Sequence, residues 1–260
     1  MASAPDGEGV ACDATELAAR VARGELTCRA VVEAHLSRIE AVDPAVNAVT
    51  VVLAEQALLA ADAADRSGGG GPLRGVPFTV KENLDCLGAP TTHGVRALSG
   101  ALPYADAPAV ERLKAAGALL IGRTNQSEMG LRLCTDNPLR GRTRNPWDAA
   151  RTVGGSSGGD AAAVATGMAP LGLGNDMGGS LRVPAHCAGV AALKPTTGRV
   201  PYASTLPPFD YGFTGQVMRV DGPIARSVRD LRRVLGVLAG RDRRDPRSVD
   251  APLVGPPPDE

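Results

Sequence analysis

From residue 73 onward, short apolar runs alternate with helix-forming stretches along the chain. Val76, Phe78 and Val80 alternate with other residues, and this pattern predicts a strand that ends at Lys81. Strands alternating with helices pack as layers, so the pattern predicts an α/β fold with a central, mixed or largely parallel sheet flanked by helices. The further strands are predicted at 118–122, 171–174 and 190–193, and the helices at 107–116, from 161, and at 228–238.

The part before residue 70 predicts helices only, over residues 13–66. Thr27 is expected to cap the main helix, and Asp43-Pro44 is expected to stop it, because proline disfavours helical backbone at the residue before it. The alanine-rich stretch 53–65 predicts another helix. A glycine-rich connection then leads into the alternating part of the chain.

These changes of pattern divide the chain into three segments. Residues 1–70 form an N-terminal helical segment, and residues 71–240 form the core. Residues 241–260 are charged and rich in proline, which is typical of a linker or a frayed end.

Composition excludes several classes of function. The 28 Lys and Arg residues are balanced by 28 Asp and Glu residues, so no nucleic-acid partner is expected. The chain has no apolar run near ~18 residues and no apolar segment at its acidic N-terminus, so neither a membrane span nor a signal peptide is expected. Five widely spaced cysteines without a Cys-x-x-Cys pair suit reduced thiols, and hence a cytoplasmic location. The sequence shows no pattern of metal-binding residues, and no cofactor is expected.

Two clusters of glycine and serine could carry chemistry, at residues 154–159 and 176–180. Glycines allow the backbone to approach a ligand closely, and consecutive N–H groups can hold an anion, such as the oxyanion of acyl transfer. Two flexible loops are the simpler interpretation, and composition alone favours it. Residues 155–159 also fit G-x-S-x-G with Ser157 at the centre, which suggests a nucleophile elbow. No buried strand is predicted before Ser157, which disfavours the elbow.

Several separate motifs, taken in order, resemble the amidase signature family. They are residues 73–81, 122–130, 144–159, 176–180 and 194–200. The intervals also agree with that family, with 75 residues from Lys81 to Ser156 and 24 from Ser156 to Ser180. The resemblance extends from about residue 14 to residue 240.

This resemblance implies a Ser–cis-Ser–Lys triad. Ser180 would be the nucleophile, Ser156 would relay the proton, and Lys81 would be the terminal base. A cis peptide is implied at Gly155-Ser156. The residue types suit these roles, because a hydroxyl needs a base to become a nucleophile, and a lysine becomes that base only when burial lowers its pKa. Without the resemblance, Lys81 would be interpreted as a solvent-facing strand end.

The resemblance also implies the surroundings of the nucleophile. The backbone N–H groups of Met177, Gly178 and Gly179 would form the oxyanion hole, and Met129 and Leu131 are candidate neighbours of the acyl group. Beside them, the sequence predicts two structural roles, a hydrogen-bond acceptor at Asp176 and an ion pair at Arg182.

The resulting functional hypothesis is an amidase that hydrolyses a carboxylic amide C–N bond and releases ammonia or an amine. The expected substrate is a small-molecule amide. Acyl transfer to another amine stays open. Because members of the family are substantially longer, the sheet is expected to be incomplete at its C-terminal side. A homodimer, a complementing chain, or an inactive or partner-dependent subunit therefore remains an alternative.

Overall fold

The computed structural model describes residues 8–207 and 212–253, and within them the chain forms a six-stranded mixed sheet flanked by helices. The strands are β1 (Val49–Val52), β2 (Pro77–Lys81), β3 (Leu119–Thr124), β4 (Leu171–Asp176), β5 (Ala191–Ala192) and β6 (Val220–Ala225). The helices are α1 (Glu8–Ala11), α2 (Ala14–Ala22), α3 (Cys28–Val46), α4 (Ala54–Ser67), α5 (Pro108–Ala115), α6 (Gly158–Ala165), α7 (Arg182–Ala188), α8 (Phe213–Met218) and α9 (Val228–Leu238). The predicted α/β class and mixed sheet are confirmed.

The order of the strands places three chain segments at one edge of the sheet. The order is β1-β3-β2-β4-β6-β5, and β2 runs parallel to both of its neighbours, β3 and β4. The remaining pairs are antiparallel. Because the carboxyl ends of parallel strands meet at the same edge, Lys81, Thr124 and Asp176 all lie there, and Lys81 is the register partner of Thr124.

Strand β2 is buried on both faces. Thr79 donates a hydrogen bond to Asp160 of α6, so the face that carries Thr79 and Lys81 is turned toward α6. Phe78 and Val80 point to the opposite face, where they join the hydrophobic core. The strand predicted from this alternation is confirmed, and it ends at Lys81 as predicted.

The prediction for residues 13–66 is wrong in two places: Asp43-Pro44 does not stop the main helix, and the segment contains a strand. Helix α3 continues through Pro44 to Val46, and the residue that caps it, Asn47, has a left-handed backbone with φ 60°. A proline in the last turn removes only one helical hydrogen bond, so it does not stop the helix. Strand β1 then follows and pairs with β3, so the N-terminal segment contributes an edge to the sheet. The capping role predicted for Thr27 is confirmed by its bond to the N–H of Ala30.

The predicted linker-like tail is wrong for residues 241–249. The N–H of Val249 donates to the carbonyl of Gly198 at 3.0 Å, and Asp245 and Ser248 are buried. Arg112 anchors the start of the segment by donating to the carbonyl of Gly240 at 3.1 Å. Charged side chains that pair with main-chain groups make this segment part of the fold despite its composition. Residues 254–260 lie outside the described residues.

Candidate active site

Lys81 is completely buried at the carboxyl end of β2. Its Nζ donates to Ser156 Oγ at 2.6 Å and to Asn175 Oδ1 at 2.8 Å. A buried amine is stable only when polar partners replace its water. These two bonds fix the direction of the amine, and one of them joins it to a serine hydroxyl.

A pair of asparagine side chains supports the amine. Asn175, on β4, donates through its Nδ2 to Asn83 Oδ1 at 2.7 Å, which leaves its Oδ1 facing Lys81. Neither asparagine is expected from the sequence motifs. The available signal is weak: Asn83 lies two residues after Lys81, and Asn175 directly precedes the second glycine–serine cluster.

The electrostatic surroundings make Lys81 a candidate base. Burial lowers the pKa of its ammonium to about 7, against the smaller opposing attraction of Asp160. An amine with a pKa near neutrality exists in part as the free base at neutral pH, and only the free base can accept a proton. A solvent-facing strand end is therefore the wrong interpretation of Lys81.

The first glycine–serine loop, residues 154–159, includes the first two residues of α6 and is buried along its whole length. It contains the cis peptide expected at Gly155-Ser156. A Cβ built on Gly154, which has φ 79°, would lie 2.7 Å from Pro184 Cα, so no side chain fits there. At Gly154 the backbone of the loop thus packs directly against the backbone of α7, and Ser156 is hydrogen-bonded to Lys81.

Ser157 is an unsuitable nucleophile in this arrangement. Its side chain is fully buried, and its Oγ donates to the carbonyl of Asn175 at 3.3 Å. It occupies the position before α6 without capping that helix through its side chain. The elbow interpretation of residues 155–159 therefore has no accessible hydroxyl.

The second loop, residues 176–180, is organised around Asp176. The carboxylate accepts the N–H groups of Gly179 at 2.8 Å and Leu181 at 3.0 Å, and it forms an ion pair with Arg182 at 2.9 Å. Burial alone would raise the pKa of Asp176, but Arg182 and the N–H donors hold it below its ordinary value. The structural roles predicted for Asp176 and Arg182 are confirmed.

Ser180 ends this second loop and is 8% exposed. Its carbonyl accepts the N–H of Ser157 at 3.1 Å, so a main-chain hydrogen bond joins the two glycine–serine loops directly. The structure therefore brings together the segments that carry Lys81, Ser156 and Ser180.

The three residues predicted to form an oxyanion hole lie between Asp176 and Ser180, and their surroundings differ. The N–H of Gly179 is already bonded to Asp176, so it is not free to bind an oxyanion here. Met177 is exposed, and a Cβ built on Gly178 would meet nothing within 4 Å. Met177 and Gly178 are therefore the open part of the loop.

The two candidate neighbours of the acyl group, Met129 and Leu131, belong to a turn beside Ser156. Met129 donates its N–H to the carbonyl of His93 at 2.8 Å, and its side chain is 40% exposed. A Cβ built on Gly130 would lie 3.4 Å from Ser156 Oγ, so the turn borders the site. Leu131 is 79% exposed and lies farther toward solvent.

Residues 8–207 and 212–253 contain neither a metal centre nor a membrane-spanning helix. No three His, Cys, Asp or Glu side chains in these ranges are grouped so that they could hold a metal ion. None of the helices in the same ranges combines the length and the apolar composition needed to cross a bilayer.

A family model described as Amidase matches residues 30–259. The chain is 50% identical over 249 residues to the indoleacetamide hydrolase of Bradyrhizobium diazoefficiens, covering 94% of this chain and 48% of the relative. It is 45% identical over 246 residues to a glutamyl-tRNA(Gln) amidotransferase subunit of Acidothermus cellulolyticus, covering 92% of this chain and 47% of the relative. The chain thus spans about half the length of these curated relatives.

Solved structures share the fold of this chain. A 6-aminohexanoate cyclic dimer hydrolase complexed with substrate matches with a TM-score of 0.85 and 36% identity, covering 94% of this chain and 50% of the other. A bacterial aryl acylamidase matches with a TM-score of 0.86 and 37% identity, covering 93% of this chain and 50% of the other.

Proposed function

The chain belongs to the amidase family, and from this premise we propose that it cleaves the C–N bond of a carboxylic amide through an acyl-enzyme on Ser180. The observation that carries the proposal is the 2.6 Å hydrogen bond between Lys81 Nζ and Ser156 Oγ in a buried site. A lysine with a lowered pKa beside a serine is the pairing that a hydroxyl nucleophile needs.

In the first half of the reaction, neutral Lys81 takes the proton of Ser156, and Ser156 takes the proton of Ser180. The Oγ of Ser180 then attacks the amide carbon. The backbone N–H groups of Met177 and Gly178, in the open part of the second loop, stabilise the negative charge on the carbonyl oxygen. One such donor contributes about 3 kcal/mol to the transition state in other enzymes.

In the second half, the proton returns through Ser156 to the nitrogen of the leaving group, and the C–N bond breaks. A water molecule then attacks the acyl group on Ser180, with Ser156 and Lys81 again taking the proton. The ester bond to Ser180 breaks, and the proton returns through Ser156 to the Ser180 oxygen. The products are a carboxylic acid and ammonia or an amine. If an amine replaces the water, the same acyl-enzyme gives acyl transfer.

A partner-dependent or inactive subunit is the second candidate function. The observation that favours it is that the chain covers only 48% of the indoleacetamide hydrolase that it matches. A second copy or a complementing polypeptide would then supply the remaining wall of the substrate site. Five cysteines that form no disulfide support a reducing compartment, such as the cytoplasm, for either function.

Labelling with a fluorophosphonate tests the nucleophile without knowledge of the substrate. The wild-type protein is exposed to the probe, its intact mass is measured, and the adduct is mapped by peptide analysis. We expect one adduct on Ser180 that is lost in Lys81→Ala and in Ser156→Ala. An adduct on Ser157 would contradict the assignment of the nucleophile.

A labelled protein is then tested for turnover. Indoleacetamide, a 6-aminohexanoate cyclic dimer and an aryl acylamide are suitable first substrates, because proteins named for them match this chain. Labelling without turnover of any amide would favour the partner-dependent alternative. A folded sample without an adduct would contradict the amidase proposal for this chain.

A further inference from the structure

The amide of Asn175 is bonded to Lys81 and has no part in the proposed chemistry so far. Asn175 lies on β4, next to β2, and is only 5% exposed. Its Oδ1 accepts a hydrogen bond from Lys81 Nζ at 2.8 Å, while Ser156 Oγ lies 2.6 Å from the same nitrogen. Within the described part of the chain, the amine is therefore shared between one serine of the triad and one amide.

The two partners of the amine differ in what they can exchange with it. A neutral amine has two N–H groups and one lone pair. The Oδ1 of an asparagine is only an acceptor, so it takes an N–H of the amine, whereas a serine hydroxyl can also donate. Asn175 therefore holds an N–H of Lys81 in its own direction and leaves the lone pair for Ser156, from which the proton has to come.

This effect depends on which end of the Asn175 amide faces the amine. If the amide were turned over, its Nδ2 would donate to Lys81, and a neutral amine would direct its lone pair at Asn175 instead of Ser156. Asn83 opposes that reversal. Its Oδ1 accepts Asn175 Nδ2 at 2.7 Å, and its own Nδ2 lies 3.4 Å from Asn175 Oδ1. The ammonium form of Lys81, which has only donors, selects the same orientation of the paired amides.

The backbone of Asn175 is joined to the loop that carries Ser156. Ser157 Oγ donates to the carbonyl of Asn175 at 3.3 Å. A Cβ built on Gly174 would lie 2.6 Å from the same Ser157 Oγ, so a glycine at this position lets β4 approach the loop closely. The backbone thus sets where Asn175 lies relative to Ser156, and its side chain is left to act on the amine.

We propose that Asn175 and Asn83 are positioning residues for the reaction. Asn175 holds one N–H of the neutral Lys81 amine so that the Nζ lone pair faces Ser156, and Asn83 keeps the Asn175 amide in the orientation that this requires. When Ser156 gives up its proton, the proton bonds to the lone pair, and the resulting ammonium keeps its bond to Asn175. The inference rests on the proposed function, because the direction of the lone pair matters only if Lys81 serves Ser156 and Ser180.

The charged groups around Lys81 govern how much of the amine is neutral. They are Asp160 from α6, Asp176 from β4, Asp221 from β6, and Arg219 just before β6. Burial has the largest influence and lowers the pKa of Lys81 to about 7. Because an asparagine carries no charge, its effect on orientation is separated from theirs by comparing rates at a pH where Lys81 is fully neutral.

Asn175→Leu and Asn175→Asp form the central pair of variants. Both side chains are close to asparagine in size, and only the aspartate keeps an acceptor oxygen. The rate of fluorophosphonate labelling of Ser180 is measured against pH up to its plateau. In Asn175→Leu we expect a plateau lower by about tenfold or more, because the lone pair is no longer directed at Ser156. In Asn175→Asp we expect the plateau to recover, with the inflection at a pH higher by about one unit or more, because a carboxylate favours the ammonium.

Asn83→Leu tests the second step and replaces Asn175→Leu if that variant does not fold. It leaves Asn175 in place without the acceptor for its Nδ2, so we expect a plateau lower by about threefold or more. Ser157→Ala is the control, because it removes the bond to the Asn175 carbonyl and leaves the amide untouched. It should keep the wild-type plateau. Thermal unfolding shows that each variant is folded under the conditions of the assay.

Lysine NMR gives a readout that does not depend on labelling, because the chain contains only three lysines. The protein is grown with ¹³C-labelled lysine, the Lys81 signal is assigned by its loss in Lys81→Met, and its shift is followed against pH. We expect the titration to move to lower pH in Asn175→Leu, which loses a bond to the ammonium, and to higher pH in Asn175→Asp.

The two readouts separate this inference from the proposed function. Titrations that coincide with the wild type, or folded leucine variants that keep the wild-type plateau, would overturn the inference even if Ser180 is labelled. Titrations that move as expected in a protein without an adduct on Ser180 would overturn the proposed function and leave only a hydrogen bond to the amine. An adduct on Ser180, a low plateau in the leucine variants and its recovery in Asn175→Asp together support both.

Discussion

The two glycine–serine loops of the site have similar compositions and opposite surroundings. Residues 154–159 are all buried, and a Cβ on Gly154, Gly155 or Gly159 would meet other main chain within 3 Å. In the loop of residues 176–180, Met177 and Gly178 are exposed, and Gly179 is bonded to Asp176. A glycine-rich segment can therefore be either the most enclosed part of a site or its most open part.

This difference in exposure suits two separate parts of the proposed reaction. The buried loop holds Ser156 against Lys81, where water would compete for the proton. The open loop ends at Ser180, which a substrate has to reach in the proposed reaction. We therefore expect substitutions in the first loop to affect folding and substitutions at the open positions of the second to affect reactivity.

The largest expected effect distinguishes the serines of the two loops. Ser180→Ala should lose the fluorophosphonate adduct and reduce any amidase rate by about 10⁴-fold or more, because the nucleophile is gone. Intact mass and rate measurements check this. Ser157→Ala is the matched control, because the fully buried hydroxyl of Ser157 only donates to a main-chain carbonyl. This variant should keep the adduct on Ser180. An adduct that persists in Ser180→Ala would refute the assignment.

A matched pair of glycine substitutions tests the contrast in packing. Gly154→Ala should lower the free energy of unfolding by at least about 2 kcal/mol, because the new Cβ meets Pro184 and the backbone is left-handed. Gly178→Ala should stay within about 0.5 kcal/mol, because its Cβ meets open space. Thermal unfolding of both variants measures the difference. Equal stability would mean that the first loop is not held by its surroundings.

The dependence of labelling on pH tests the base behind the buried loop. Lys81 must be neutral to accept a proton, and burial lowers its pKa to about 7, so labelling should be slow below neutral pH and reach a plateau above it. Well below the pKa, the rate should change about tenfold per pH unit. Lys114→Met, which removes a lysine paired with Asp106, should keep the wild-type profile. A rate that inflects only near the ordinary lysine value of about 10.4 would contradict this role.

The smallest expected effect concerns the support of the open loop. Arg182→Gln removes an ion pair whose guanidinium is 55% exposed, while Asp176 keeps its main-chain donors. We expect a loss of stability of about 1 kcal/mol or less and only a few-fold slower labelling. Arg151→Gln, which breaks the exposed pair with Asp148, is the control. A loss of labelling as complete as that of Ser180→Ala would assign Arg182 a larger role.

The sequence predicts the elements whose local pattern agrees with their environment. The alternation around Val76, Phe78 and Val80 predicts β2, and the helix at 228–238 agrees with α9. Strand β6 is not predicted because it contains Gly222-Pro223, a dipeptide typical of turns, and only its pairing with β4 and β5 makes it a strand. Strand β1 is not predicted because four residues between two helices carry too little periodicity.

The residues of the candidate site also fall into those that the sequence predicts and those that it does not. Lys81, Ser156 and Ser180 are found through motifs and their spacing, and the structure brings their segments together. Asn83, Asn175 and Asp160 matter only because of what they contact after folding, and no motif marks a contact between residues as distant as Lys81 and Asn175. The bond between Gly179 and Asp176 is also invisible in the sequence, because it depends on how the loop closes.

The position of β2 between β3 and β4 has a consequence for synthesis. The ribosome makes β2 well before β4, so Lys81 is without Asn175 until residue 175 has emerged from the exit tunnel and docked. Until then the amine is exposed to solvent and carries the ordinary charge of a lysine. The low pKa of Lys81 thus arises only when the sheet closes, and the unfinished polypeptide carries an ordinary lysine at this position.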